Sequence, residues 1–250
     1  MTAPRPVLLL LPGLLCDHAA WSGPAALLAA QAECRIPSWG KLDSIEAMAA
    51  QVLATVPEPR FALAGHSMGG RIALEIIRQA PQRVERLALL DTGYQPLAAG
   101  DAGERERAGR YALLAQAREQ GMRAMGAAWA VGMVLPAQVG TPLFESILDM
   151  IERSSPEQFD AQIHALLGRP DATGLLAGIR CPTLLLCGRE DRWSPLERHA
   201  DMHEQIPGAV LEIIERSGHM TTMEAPHDVV RALLRWLDRK DPRAEGKETP

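Results

Sequence analysis

The 250-residue chain is poor in cysteine, with only Cys16, Cys34, Cys181 and Cys187. No two of them form a C-x-x-C pair or a zinc-ligand spacing, which argues against a dithiol redox site and a zinc finger. Two lie within or beside apolar strand-like runs, so the expectation is buried free thiols in a reducing compartment, the cytoplasm. No block of basic residues is interleaved with aromatics, and the formal net charge is −5. Nucleic acid and anionic membranes are therefore not the partners that the composition favours. No stretch approaches the ~20 apolar residues of a membrane span. A ligand cluster of the H-E-x-x-H type is also missing, which argues against metal-assisted hydrolysis. No internal repeat is visible. The nearest approach to a targeting signal is Arg5 followed by the apolar run from Val7 and ending near Leu15-Cys16. Pro12-Gly13 splits that run, and small residues are missing just before Cys16, so a strand and loop is the better reading.

What is present suits one globular unit with a large core: 47% of the residues are hydrophobic and 23% charged. Residues 61–70, Phe-Ala-Leu-Ala-Gly-His-Ser-Met-Gly-Gly, organise the rest. Phe61 to Ala64 is an apolar run long enough for a buried strand. After it, Ile72, Ala73, Ile76, Ile77 and Ala80 recur at helical spacing until Pro81. Gly65-His66-Ser67-Met68-Gly69 between them matches G-x-S-x-G, a turn sharp enough to strain its central residue. Side chains at 65 and 69 are expected to collide with the neighbouring strand and helix.

Strand and helix alternate around this stretch. Strands are read at Val7 to Leu11, Cys34 to Pro37, Phe61 to Ala64, Val84 to Leu90, Pro182 to Cys187 and Val210 to Ile214. The helices between them predict about six mainly parallel strands with helices on both faces. Asp43 reads as the cap of a helix to Val56, with Glu46 completing a capping box. A final helix after Pro226 puts Val229, Val230, Leu233, Leu234 and Leu237 on one apolar face. From Ala98 to Gly168 the pattern is helical only. This divides the chain into a core, 1–94 and 172–240, a helical cap, 95–171, and a disordered tail, 241–250.

A serine hydroxyl becomes a useful nucleophile only when an oriented base takes its proton. Asp191 and His219 each follow a strand, at the sheet edge where open α/β folds place their sites. The resulting chain order is Ser67, Asp191, His219. Asp91 also ends a strand, and is either a rival for the acid or a loop-capping carboxylate. His66 adjoins the serine but is read as structural. His18, His164, His199, His203 and His227 are read as surface or partly buried.

These motifs make the chain resemble the α/β-hydrolase family from Val7 to about Leu237. They are Gly-His-Ser-Met-Gly-Gly (65–70), Gly-Arg-Glu-Asp-Arg-Trp-Ser-Pro (188–195) and Ser-Gly-His-Met (217–220), with Glu224-Ala-Pro226 following. The resemblance implies an α/β-hydrolase fold, a catalytic triad of Ser67, Asp191 and His219, hydrolytic chemistry, no metal and no organic cofactor. It also places the inserted helices as a cap. The oxyanion hole is expected from the backbone N–H of Met68 and of Leu14, although Pro12-Gly13 stands where the family usually has His-Gly. Position 67 is serine, which excludes the dehalogenases and epoxide hydrolases of this fold, whose nucleophile is aspartate. Met122, Met125, Trp129 and Met133 form a stripe that either packs cap on core or lines an acyl pocket, with Met125, Trp129 and Met133 the candidate wall. The expected function is hydrolysis of a carboxylic ester of a small, largely apolar molecule through an acyl-enzyme. The alternatives are a lactonase, thioesterase or C–C bond hydrolase with the same triad, and remotely a non-catalytic receptor. The expected partner is a small-molecule substrate, without nucleic acid or stable membrane association; the sequence is silent on oligomeric state.

Overall fold

The computed structural model describes residues 5–239, so the tail expected at 241–250 lies outside the described residues. Six parallel strands run β1 (Val7–Leu11), β2 (Glu33–Arg35), β3 (Phe61–His66), β4 (Val84–Leu90), β5 (Thr183–Gly188) and β6 (Val210–Ile214) in chain order. Across the sheet their order is β2-β1-β3-β4-β5-β6. All residues of β1, β3 and β5 are buried, which is why their sequences are continuous apolar runs rather than alternating ones. The edge strand β2 is only three residues long and exposes Glu33.

The helices of the alternating part are α1 (Ala19–Leu28), α2 (Ile45–Thr55), α3 (Met68–Gln79), α9 (Leu196–Gln205), α10 (Thr221–Glu224) and α11 (Pro226–Leu237). Helix α1 packs on α11 and α2 on α3, and the two pairs flank the sheet. Between β4 and β5 lie α4 (Asp101–Gln120), α5 (Met122–Trp129), α6 (Pro142–Glu152), α7 (Pro156–Leu167) and the short α8 (Thr173–Leu176). Their boundaries follow local chemistry. Gly100 and Gly121 take positive φ around α4, and Ser155 and Gln158 form a reciprocal capping box on α7.

Two helix details differ from the sequence reading. The cap of α2 is Ser44, whose Oγ accepts the Ala47 N–H, not Asp43. The buried face of α11 is Val229, Val230, Ala232, Leu233 and Trp236, while Leu234 and Leu237 are half-buried. The turn toward Trp236 is explained by its indole N–H, which donates to the Pro182 carbonyl at 3.0 Å. A tryptophan buried with its N–H satisfied contributes a large apolar area without the cost of an orphaned donor. Among the described residues no helix is long and apolar enough to cross a membrane.

The chain leaves β1 for one side of the sheet and returns at β3 on the other, so the order reverses between these neighbours. A crevice opens at the carboxyl ends of strands flanking such a reversal. Here Leu11 of β1 sits beside Gly65 of β3. The approach is close enough that a Cβ on Gly69 would stand 2.1 Å from the Leu11 carbonyl oxygen, and one on Gly65 2.3 Å from the Gly69 oxygen. Gly69→Ala must therefore displace backbone, and is expected to cost about 1–3 kcal/mol, the range for overpacking. Gly109→Ala, inside α4 with open space at its Cβ, should instead stabilise by about 0.4–1 kcal/mol. Thermal melts of both variants check the contrast.

Candidate active site

Ser67 links β3 to α3 at φ 54° and ψ −116°, a conformation that a non-glycine residue holds only when its surroundings impose it. The Ser67 N–H donates to the Leu90 carbonyl at 2.9 Å, and the Thr92 hydroxyl donates to the Ser67 carbonyl at 2.6 Å. Thr92 fills the space beside Gly70, whose Cβ would lie 2.6 Å from it. The hydroxyl of Ser67 is thereby presented above the sheet edge.

His219 reaches it from the loop after β6, with Nε2 2.9 Å from Ser67 Oγ and Nδ1 2.8 Å from Asp191 Oδ2. Asp191 follows β5. Its Oδ1 accepts the backbone N–H groups of Trp193 and Ser194 at 2.8 and 3.0 Å. Burial works against the Asp191 charge, but His219 and these donors outweigh it and hold the carboxyl down at about 2. The imidazole Nδ1 thus faces an anion, which favours the tautomer with Nε2 free to accept the serine proton.

The histidine loop is held from several sides. The His219 N–H donates to the Met133 carbonyl at 2.6 Å, from the inserted segment. Its carbonyl accepts from His66 Nε2 at 2.8 Å. Glu224 accepts the Gly218 and Met220 N–H groups at 2.8 and 3.2 Å, and that of Leu135 at 3.0 Å. One carboxylate therefore ties the loop to the inserted helices. Burial raises the Glu224 pKa despite these bonds.

Asp91 is fully buried and does not reach His219. It accepts the Gly188 N–H at 3.0 Å and the Thr221 hydroxyl, joining β5 to the start of α10. Burial and the neighbouring Asp191 charge push its pKa well up. His66 is buried beside His219, and burial with the His219 charge pulls it down to about 4.

The loop after β1 passes directly over the serine, with a Cβ on Gly13 falling 3.2 Å from Ser67 Cβ. Leu15 has φ 56°, and its N–H is anchored on the buried Gln162 side chain of α7 at 2.8 Å. The neighbouring Leu14 N–H and the Met68 N–H have no hydrogen-bond partner among the described residues. A cavity of about 530 Å³ opens above Ser67, bounded by Leu14, Met68, Trp129, Met133, Trp193 and His219 among others. Trp193 lies between Trp129 and His219 in tilted ring contacts, with centroids 5.0 and 5.1 Å away. Met125, one turn before Trp129, is fully buried in the packing of the inserted helices and does not line the cavity. The wall also carries five arginines, so it is less apolar than the methionine and tryptophan stripe suggests.

The profile of the alpha/beta hydrolase family matches residues 8–232. The chain belongs to the alpha/beta hydrolase family. Among its curated relatives, this hydrolase is 27% identical to a 2-hydroxy-6-oxononadienedioate/2-hydroxy-6-oxononatrienedioate hydrolase of Burkholderia vietnamiensis, over 81% of this chain and 74% of that protein. Among solved structures it resembles a thermophilic esterase from Thermogutta terrifontis, at TM-score 0.81 and 26% identity, covering 94% of this chain and 89% of the other. An enol-lactonase from Burkholderia xenovorans LB400 superposes at TM-score 0.82 and 20% identity, over 95% of this chain and 93% of its own.

The supporting residues of this hydrolase were the ones hidden in sequence. His199 is fully buried rather than near the surface, and its Nε2 accepts the Thr92 N–H at 3.2 Å. Gln162, Thr92 and Thr221 act only through distant partners, and no local spacing marks them. Glu224 stood in a familiar tripeptide, but its hydrogen bonds to the histidine loop needed the fold.

The two buried aspartates differ in a testable way. A folded-state pKa above the unfolded value means that ionising Asp91 costs stability as pH rises through that range. Asp91→Asn, neutral at every pH, is expected to melt no lower than the wild type at pH 7 and to stay within about tenfold in kcat. Asp191→Asn removes the anion that orients His219 and should lose on the order of 10⁴ in kcat. Steady-state kinetics beside melts of both variants measure the ranking.

Proposed function

We propose that this hydrolase cleaves a carboxylic ester of a small molecule through an acyl-enzyme on Ser67. The observation that carries the reading is the continuous hydrogen-bonded line from Asp191 through His219 to a strained serine. His219 Nε2 takes the hydroxyl proton as Ser67 Oγ adds to the ester carbonyl. The developing oxyanion is met by the free N–H groups of Leu14 and Met68, whose value lies in being aimed before the charge forms. His219 then returns the proton to the departing alcohol. In the second half it activates water against the acyl-enzyme, and Asp191 stabilises the imidazolium each time.

The helices between β4 and β5 serve as a cap in this reading. They supply Trp129 and Met133 to the wall above the serine and hold the oxyanion loop through Gln162. A lactone ring is opened by the same steps, with the leaving alcohol tethered to the acyl group.

A fluorophosphonate should modify the protein once, at Ser67, and Ser67→Ala should abolish both labelling and turnover of p-nitrophenyl esters. Mass spectrometry locating the label on another serine would refute the assignment. A pocket wall discriminates by about 1–3 kcal/mol per methylene. Trp129→Ala is therefore expected to move the preferred acyl length upward while hydrolysis persists. An unchanged chain-length ranking in a folded variant would remove Trp129 from the wall.

A further inference from the structure

The cavity above Ser67 is strongly cationic in a chain whose net charge is −5. Arg71, Arg105, Arg110, Arg169 and Arg198 line it, with Glu106 the single acidic residue. Glu106 is already engaged. It receives Arg169 through two bonds, at 2.7 and 2.8 Å, and Arg110 at 2.9 Å. Arg71 and Arg198 have no ion-pair partner among the described residues. Arg71 Nη1 donates to the Gln95 carbonyl at 2.7 Å, and Arg198 Nη1 makes one long bond to the Trp193 carbonyl at 3.3 Å.

These two side chains converge. A Cβ on Gly93 would fall 3.0 Å from Arg71 Nη2 and 3.1 Å from Arg198 Nη1, so the two guanidinium groups flank one point beside the glycine. Arg71 comes from α3, one helical turn after Ser67 and so on the same face, about 6 Å further along the axis. Arg198 comes from the first turn of α9. Burial, followed by repulsion from Arg169 and Arg198, pulls the Arg71 guanidinium down to about 9, which leaves it cationic at neutral pH. Two partly desolvated like charges with no anion between them are an unfavourable arrangement for a free protein. The arrangement is relieved when a planar anion enters and takes hydrogen bonds from both.

We infer that Arg71 and Arg198 form a carboxylate subsite, and that the substrate is an anionic ester or lactone bearing a carboxylate a few bonds from the scissile carbonyl. A half-ester of a short dicarboxylic acid has this form. The inference rests on the reading of Ser67 as the nucleophile, and it replaces the largely apolar substrate expected from the sequence. It identifies two specificity-determining residues outside the catalytic line.

Paired substrates test it within one protein. The first pair is p-nitrophenyl hydrogen glutarate and p-nitrophenyl valerate, which place the charge on the acyl side. The second is 4-carboxyphenyl valerate and 4-carbamoylphenyl valerate, which place it on the leaving group. Hydrogen bonds to a charged group predict that the acid of at least one pair is preferred roughly 10- to 100-fold in kcat/KM. That ratio should shrink with added salt. Arg198→Gln and Arg71→Gln should each collapse the ratio toward one, whatever happens to the absolute rates, while Arg198→Lys should keep part of it. If Arg71→Gln does not fold, Arg198→Gln alone decides. Neutral esters hydrolysed with no preference for either acid, or a full ratio surviving in Arg198→Gln, would overturn the subsite and leave the serine reading intact. No hydrolysis of any ester, together with no fluorophosphonate label on Ser67, would instead overturn the serine reading itself.

Discussion

Ser67 occupies a backbone conformation that costs on the order of 1–3 kcal/mol when nothing compensates for it, and the site depends on what does. Helix α3 must begin immediately after β3 and lie almost in contact with β1. Only glycine at 65 and 69 permits that approach, because their missing side chains leave room for the Gly69 and Leu11 carbonyls. Thr92 then closes the turn from the other side through the Ser67 carbonyl. The turn is rigid because backbone is packed on backbone, with little side-chain freedom left to absorb a change.

The same crossing brings the loop after β1 over the serine. It occurs at the one place where the strand order reverses, so the β1 loop and the β3 turn open into a common crevice. Leu15 is held at positive φ with its N–H anchored on Gln162, and the neighbouring Leu14, whose N–H is unpaired among the described residues, lines the cavity above Ser67. The candidate nucleophile and the candidate oxyanion donors are thus placed by one feature of the topology. The inserted segment contributes contacts to the same loops, among them Gln162 to Leu15, Arg153 to Asp17, Met133 to His219 and Leu135 to Glu224.

Asp91 and Asp191 show how partners decide the fate of buried carboxylates. Both end strands of the same sheet and both are buried. Asp191 faces an imidazole that becomes cationic during the proposed cycle and has two backbone donors on its other oxygen, so its charge is stabilised. Asp91 has one backbone donor and one hydroxyl, with the Asp191 charge nearby, so its neutral form is favoured. In sequence both follow apolar runs, and the motif around Asp191 marks it as the expected acid, but the partners that set the two charges apart come from distant segments.

The alternation of strand and helix, the parallel sheet and the Ser67, Asp191, His219 order were all legible in the sequence. Each rests on local pattern: continuous apolar runs, helical spacing, glycines around a serine. These patterns span a few residues along the chain, so they can be read from the sequence alone, although the strand pairings and side-chain contacts they announce are long-range. What only the tertiary structure decided involves partners far apart in the chain. Trp236 turned the face of α11 because Pro182 offered a carbonyl. His199 is buried and accepts the Thr92 N–H, and Met125 was drawn into helix packing while Trp129 met Trp193. The arginines at 71, 105, 110, 169 and 198 have no spacing in common and converge only when the helices inserted between β4 and β5 fold over α3 and α9. A charged pocket assembled from separate segments leaves no periodicity to read, because its charges become neighbours only through contacts made after the local elements have formed.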